Sequence, residues 1–157
     1  MPRRSAGVLA YKFDRSVLRV LLVHPGGPFW SNRDQGAWSI PKGEYNADEA
    51  AETAARREFE EETGQALTVP LTLLGECRQK SGKLIVAFAA AIDFETSRLH
   101  SNLFDLEWPP RSGRIQQFPE VDRADWFTVT EAREKISIGQ LPLLDWLEKM
   151  LMSGVGR

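Results

Sequence analysis

Apolar residues in the first quarter of the chain come in short runs cut by turn formers. Ala6 to Phe13 and Val17 to His24 are such runs, joined by Asp14-Arg15-Ser16, and together they predict a β-hairpin. Pro25-Gly26-Gly27-Pro28 ends the second strand. Phe29 to Gly36 reads as a polar loop carrying aromatic residues, Ala37 to Ile40 as a short strand, and Pro41-Lys42-Gly43 as a turn into a helix. Asn46 and Glu49 have capping-box spacing, so the helix is expected to start near Ala47, with Gly64 as its stop. Leu67 to Gln79 and Leu84 to Phe94 predict two strands around the turn at residues 80–83, and Leu103 to Trp108 predicts another. Pro109 to Pro119 reads as a loop. Arg123 to Val129 is expected as a strand, Thr130 as the opening of a helix, and Leu141 to Met152 as a closing amphipathic helix with Leu143, Leu144, Leu147 and Met150 inward. Strands interleaved with two or three helices predict an α/β fold, a mixed sheet between helices.

The stretch GEYNADEAAETAARREFEEETG, Gly43 to Gly64, carries the candidate chemistry. Glu58, Glu61 and Glu62 are spaced i, i+3, i+4 and neighbour one another on a helix. Ala51, Ala54, Ala55 and Phe59 mark the buried side, while Glu52, Arg56, Arg57 and Glu60 point largely the other way. Solvated acidic surface is the usual reading of a run such as EFEEE. Here, however, the glutamates continue the alanine stripe instead of opposing it. Like charges beside a core are costly unless something positive sits among them, and a divalent cation meets that need.

Gly43, Glu49, Arg57-Glu58-Phe59, Glu61-Glu62 and Gly64 fall at the spacings of the Nudix box, and the chain resembles the Nudix hydrolases. Gln65 stands where an aliphatic residue is usual. The resemblance implies an αβα sandwich with a mixed β-sheet and cleavage of a diphosphate linkage. It implies Glu61 and Glu62 as ligands of Mg²⁺ or Mn²⁺, with Glu58 holding a second metal or positioning the attacking water. It further implies the Gly43 carbonyl at the metal, Arg57 orienting the glutamates by ion pairing, and Glu49 in structural support. Glu120 lies six residues before Trp126, a spacing shared with many members of the family, which suggests a further metal ligand or general base. Asp122 is a weaker competitor, and a solvated loop acid is the plain alternative for Glu120.

Composition sets limits on the rest. The 157 residues suit one domain, expected over 1–157, and 42% apolar with 27% charged content is ordinary globular usage. A net charge of −2 gives no global pull toward nucleic acid or membrane. Cys77, the only cysteine, excludes an internal disulfide and reads as a buried filler, which suits a cytoplasmic protein. The apolar run at Ala6 to Tyr11 is too short for a signal core or a membrane span. His24 and His100 read as packed or solvated, not catalytic, and no Cys/His cluster offers a structural zinc site.

The expected ligand is a small-molecule nucleotide. Lys42 is placed to meet a phosphate, Arg111 and Arg114 less so, and Trp30 and Trp108 are candidates to stack on a base, whereas Trp38 reads as core. Pro-Lys-Gly together with Glu120 resembles the dinucleoside polyphosphate hydrolase and MutT-like members of the family, with nucleoside triphosphates and nucleotide sugars left open. Many relatives with such a box dimerise, so a homodimer is among the implied arrangements. Two other classes compete. One is a nucleotide sensor of the same fold that does not cleave, and against it stands the full set of box glutamates. The other is an acidic helix serving a protein interface, which leaves the placement of Glu58 and Glu62 unexplained.

Overall fold

The first two strands are apolar on both faces, and that puts them in the middle of the molecule. In the computed structural model, which describes residues 3–155, β1 (Arg4–Asp14) and β2 (Val17–Pro25) form an antiparallel hairpin. The ends of the domain expected over 1–157 lie outside the described residues. Asp14 pairs with Val17, so the turn is Arg15-Ser16 alone, with φ of 53° and 69°. Positive φ at both central residues matches the right-handed twist of the strands.

The main sheet runs β4-β5-β1-β2-β8, with β3 also on β1. Here β3 is Lys42–Glu44, β4 Thr72–Arg78, β5 Leu84–Ala91 and β8 Val121–Thr128. β1 and β5 are parallel and the other pairings antiparallel, so the sheet is mixed. Alternate residues of β1 feed opposite cores. Ala6, Val8 and Ala10 meet Ala54, Ala55 and Phe59 of α1 (Ala51–Thr63). Leu9 faces the other way, toward Ala132 of α2 (Val129–Lys135) and Leu143, Leu144 and Leu147 of α3 (Leu141–Met150). The expected αβα sandwich is therefore the architecture of this chain, and Met150 is half-buried against the second core.

Several local expectations need correction. The helix begins at Ala51, and its N-cap Ala50 makes no side-chain bond. The capping box expected at Asn46 and Glu49 does not form, because the Glu49 carboxylate is committed to Arg57. Gly64 does stop the helix, in the left-handed region at φ 86°. Pro41-Lys42-Gly43 is not a plain turn, since Lys42 and Gly43 belong to β3. Ala37 to Ile40 is only bridged, Ser39 to Val23 and Trp38 to Ile136. The strand expected from Leu67 starts at Thr72; the carbonyls of Leu67 and Val69 instead accept from Arg56, at 2.8 and 2.9 Å. The loop expected over 109–119 contains β7 (Ile115–Pro119), which pairs with β6 (Leu103–Glu107) in a separate hairpin. α2 begins one residue early, on a capping box of Thr128 and Glu131.

Gly7 is where the sheet meets the loop that carries the site. A Cβ there would lie 2.6 Å from the Pro41 carbonyl oxygen and 2.7 Å from Lys42 Cβ. Gly7→Ala should therefore cost about 1–3 kcal/mol, as overpacking does. Urea denaturation beside a surface Gly82→Ala control checks this.

Candidate active site

Glu58 extends the buried stripe of α1 and is itself 7% exposed, while Glu61 and Glu62 are half-buried beside it. The stripe therefore carries carboxylate where a core helix would carry aliphatic side chains. Arg57 makes this tolerable. Its Nε and Nη2 donate to Glu49 Oε2 and Oε1 at 3.0 and 2.9 Å. Its Nη1 donates to Glu58 Oε2 at 2.6 Å and to Glu61 Oε2 at 3.1 Å. One guanidinium thus gathers three carboxylates, which neither a lysine nor a histidine has the donor geometry to do. The bond to Arg57 pulls the Glu49 carboxyl below its usual range, and Glu49 in turn holds Arg57 charged. Arg57 does not simply face solvent, as its helical position suggested.

Gly43 admits Glu58. A Cβ at Gly43 would overlap the Glu58 carboxylate, so the glycine leaves room for that carboxylate where it lies. One residue earlier, the Lys42 N–H donates to Glu62 Oε1 at 3.3 Å. Burial pushes Glu62 up to about 8, against the pull of Lys42, and burial likewise raises Glu58. Burial lowers Lys42 from the usual lysine range, although Glu62 favours its charge. The Lys42 ammonium has no hydrogen bond or ion pair among the described residues.

Glu120 comes to this group through a relay of backbone bonds. Asn102 N–H donates to the Glu61 carbonyl at 2.9 Å, Glu120 N–H to the Asn102 carbonyl at 2.8 Å, and Gly26 N–H to the Glu120 carbonyl at 2.9 Å. Glu120 is thereby fixed near the end of α1, and its carboxyl is raised by burial and then by Glu61. Asp122 is engaged elsewhere, 2.8 Å from Nδ1 of buried His24, whose Nε2 lies 2.6 Å from the Arg33 carbonyl. His24 is packed and His100 exposed, as expected.

A cavity of about 230 Å³ opens beside the carboxylates and is lined by Trp30, Lys42, Glu62 and Glu120 among others. A larger cleft of about 670 Å³ lies along β8 and holds none of the box glutamates. The smaller one is therefore the candidate site. Trp108 is not brought into it; its ring sits edge-on to Phe29 at 5.3 Å and 79°. Arg111 and Arg114 lie at the exposed tip of the β6–β7 hairpin. Among the described residues no three His, Cys, Asp or Glu side chains converge as they stand on one cation position, because Glu58 and Glu61 are turned onto Arg57. The donor set itself is all hard oxygen, as Mg²⁺ and Mn²⁺ prefer.

The sequence of the NUDIX domain, as a family model, matches residues 1–147, and the chain belongs to that family. With every carboxylate of the family's box in place, it is an enzyme of the pyrophosphohydrolase type. Three solved structures share the fold. The NUDIX domain of Shewanella oneidensis NrtR, complexed with ADP ribose, is 17% identical, with 96% of this chain and 89% of that chain covered and a TM-score of 0.65. A C. elegans Ap4A hydrolase in a binary complex is 19% identical, with coverages of 95% and 98% and a TM-score of 0.66. A mutT/nudix family protein from Listeria innocua is 20% identical, with coverages of 98% and 96% and a TM-score of 0.66. No curated protein gives a significant match. No helix among the described residues is long and apolar enough to cross a membrane.

The raised Glu62 carboxyl sets a pH dependence. The fold favours its neutral form, so its cost to stability is absent below the unfolded value of 4.5, grows as pH rises, and is complete above about 8. Metal-free Glu62→Gln should therefore match wild type at pH 4 and melt higher by about 4 °C or more at pH 8. Thermal unfolding in chelator across this range checks the sign.

Proposed function

We propose that the protein is a Mg²⁺-dependent hydrolase, Mn²⁺ substituting, that cleaves the diphosphate linkage of a nucleoside diphosphate derivative such as a dinucleoside polyphosphate or a nucleoside triphosphate. Residues 1–157 act as one catalytic domain in this proposal. The observation that carries it is a cavity lined by Glu62, Glu120 and the unpartnered Lys42 ammonium, with Glu58 and Glu61 close enough to act on these carboxyls by charge. The relatives give independent support, since one is a hydrolase of Ap4A and another holds ADP ribose.

Glu58, Glu61, Glu62 and the Gly43 carbonyl are the groups that would hold the metal. When bound, it supplies charge neutralisation at phosphate oxygens and a lowered pKa for water. The chain's own residues do the rest. Glu120, or Glu58, accepts the proton of the water that attacks phosphorus as the bridging P–O bond breaks; burial raises both carboxyls above their usual range, which makes each a stronger base than a solvated carboxylate. Lys42 offers a point charge to a phosphate oxygen. Arg57 and Glu49 position the glutamates without touching substrate. Trp30, at the cavity wall with Arg33 5.5 Å from its ring centroid, is the aromatic group placed to stack on a base. Trp108 is further out, and its part is to support Phe29.

Glu61→Gln should lower turnover by at least about 10³-fold while leaving the melting temperature of the metal-free protein equal or higher, because a like charge beside Glu58 is removed. Product chromatography with Mg²⁺ and a panel of nucleoside triphosphates, dinucleoside polyphosphates and nucleotide sugars checks it. Full activity in Glu61→Gln, or silence of wild type across the panel with both metals, would remove the proposal.

Divalent cation should also raise the melting temperature of wild type more than that of Glu62→Gln, since binding to the folded state alone stabilises it. A Mg²⁺ titration followed by thermal unfolding measures this without any substrate.

A further inference from the structure

The cavity beside the glutamates contains polar groups that nothing in the protein uses. The side-chain amide of Gln79, directly after β4, and the hydroxyl of Ser137, after α2, both line it. Both residues are half-buried, and neither side chain hydrogen-bonds to another group among the described residues. Their neighbour Gln140 is different. It is 1% exposed, its Nε2 donates to Ser39 Oγ at 2.9 Å, and its Oε1 accepts from the Ile40 N–H at 3.1 Å. Gln140 is structural, whereas Gln79 and Ser137 are left open to the cavity.

The backbone that carries the two open groups is held in place. Gly139 brings their segments together, since a Cβ on it would lie 2.9 Å from Gln79 Cα and 3.1 Å from the Arg78 carbonyl oxygen. Gln79 N–H donates to the Lys83 carbonyl at 2.9 Å, and the Gln79 carbonyl accepts from Gly82 N–H at 2.9 Å. Ser137 N–H donates to the Trp38 carbonyl at 2.8 Å. A backbone held this way limits the region that the two side chains can reach.

The rest of the wall narrows the ligand. Val23, Pro25, Ile40 and Val121 are apolar, and Trp30 stands with them. Lys42, Glu62 and Glu120 line the same cavity, and its volume of about 230 Å³ is below that of a site for a whole drug-sized molecule, roughly 300–1,000 Å³, so beside a phosphate it admits only a small group. An apolar group there would leave the amide and hydroxyl unsatisfied on burial. A flat heteroaromatic ring fits both halves: its faces suit the apolar walls, and its edge sets a donor beside an acceptor, as a glutamine amide does.

We propose that Gln79 and Ser137 are the specificity-determining pair of this site and read the hydrogen-bonding edge of a single substrate base. The proposal rests on the hydrolase assignment above for the identity of the ligand as a nucleotide. The glutamates and Lys42 act on the phosphates, and this pair selects what the phosphates are attached to.

The test is calorimetric titration of the full chain, with Mg²⁺, by ADP and by the abasic ribose 5-diphosphate. It compares wild type, Gln79→Leu, Ser137→Ala and the double variant, with steady-state kinetics on the best nucleotide beside it. Gln79→Glu, of the same size, serves if the leucine variant does not fold, and melting curves decide that. Each single change should weaken ADP binding about 3–10-fold and the pair about 10–100-fold. Binding of the abasic ligand should stay as in wild type, and KM should rise while kcat holds. Wild-type affinity for ADP in the variants, or equal losses for ADP and the abasic ligand, would overturn the proposal. Should wild type show this binding pattern yet cleave no nucleotide, the pair stands and the hydrolase assignment falls. Cleavage by the variants at wild-type KM gives the reverse.

Discussion

The site depends on one guanidinium. Glu58 and Glu61 sit one turn apart on a helix face that also packs on a sheet, and without a cation between them they repel in partly desolvated surroundings. Arg57 Nη1 lies between them at 2.6 and 3.1 Å, and its other edge is anchored on Glu49 from the segment ahead of the helix. Because Glu49 takes two of its donor nitrogens, Arg57 is held independently of Glu58 and Glu61, and the two carboxylates are gathered on its remaining nitrogen. A buried pair of this kind adds little net stability, and its effect is to fix geometry.

The sheet supplies what Arg57 cannot. β1 is buried on both faces, so it cannot shift register without exposing one core or the other. β3 rides on its edge and presents Lys42 and Gly43. From the far side, three backbone bonds running from the Glu61 carbonyl through Asn102 and Glu120 to Gly26 tie the end of α1 to β8 and to the loop after β2. Glu120 is far from the box in sequence, yet it is fixed by main-chain bonds, which are indifferent to side-chain identity at every step but its own.

How much of this could be read in the chain follows from which contacts are local. The glutamate spacing, the glycine that stops α1 and the two-faced strands are short-range patterns, and they correspond to observed elements. Glu120 was legible only as a spacing to Trp126, and the relay that places it was not, since Asn102 carries no signal of its own. The helix start was misread because Glu49 has two outlets, a backbone cap at Asn46 and the fork of Arg57, and the charged bidentate bond is the stronger. β7 was hidden by prolines and arginines around a strand that pairs with β6. Gln79 and Ser137 were missed altogether. They line one cavity because Gly139 lets the turn after α2 press on the end of β4, and a lone glycine near a helix start does not announce a contact 60 residues away.

The electrostatics of the cavity point to the kind of ligand that completes it. Burial raises Glu58, Glu62 and Glu120 and lowers Lys42, so each of these groups is held away from its charged form. A simple anion would relieve Lys42 and worsen the carboxylates, and a simple cation would do the opposite. Both strains are relieved together only by a ligand that brings positive charge to the glutamates and negative charge to the lysine. A polyphosphate accompanied by a divalent ion has that character, and it is also the form in which phosphoryl groups are most easily attacked, since the developing charge is already neutralised. The burial that raises these carboxyls and lowers Lys42 thus favours, in the proposed reading, a ligand carrying both charges at the last turn of α1.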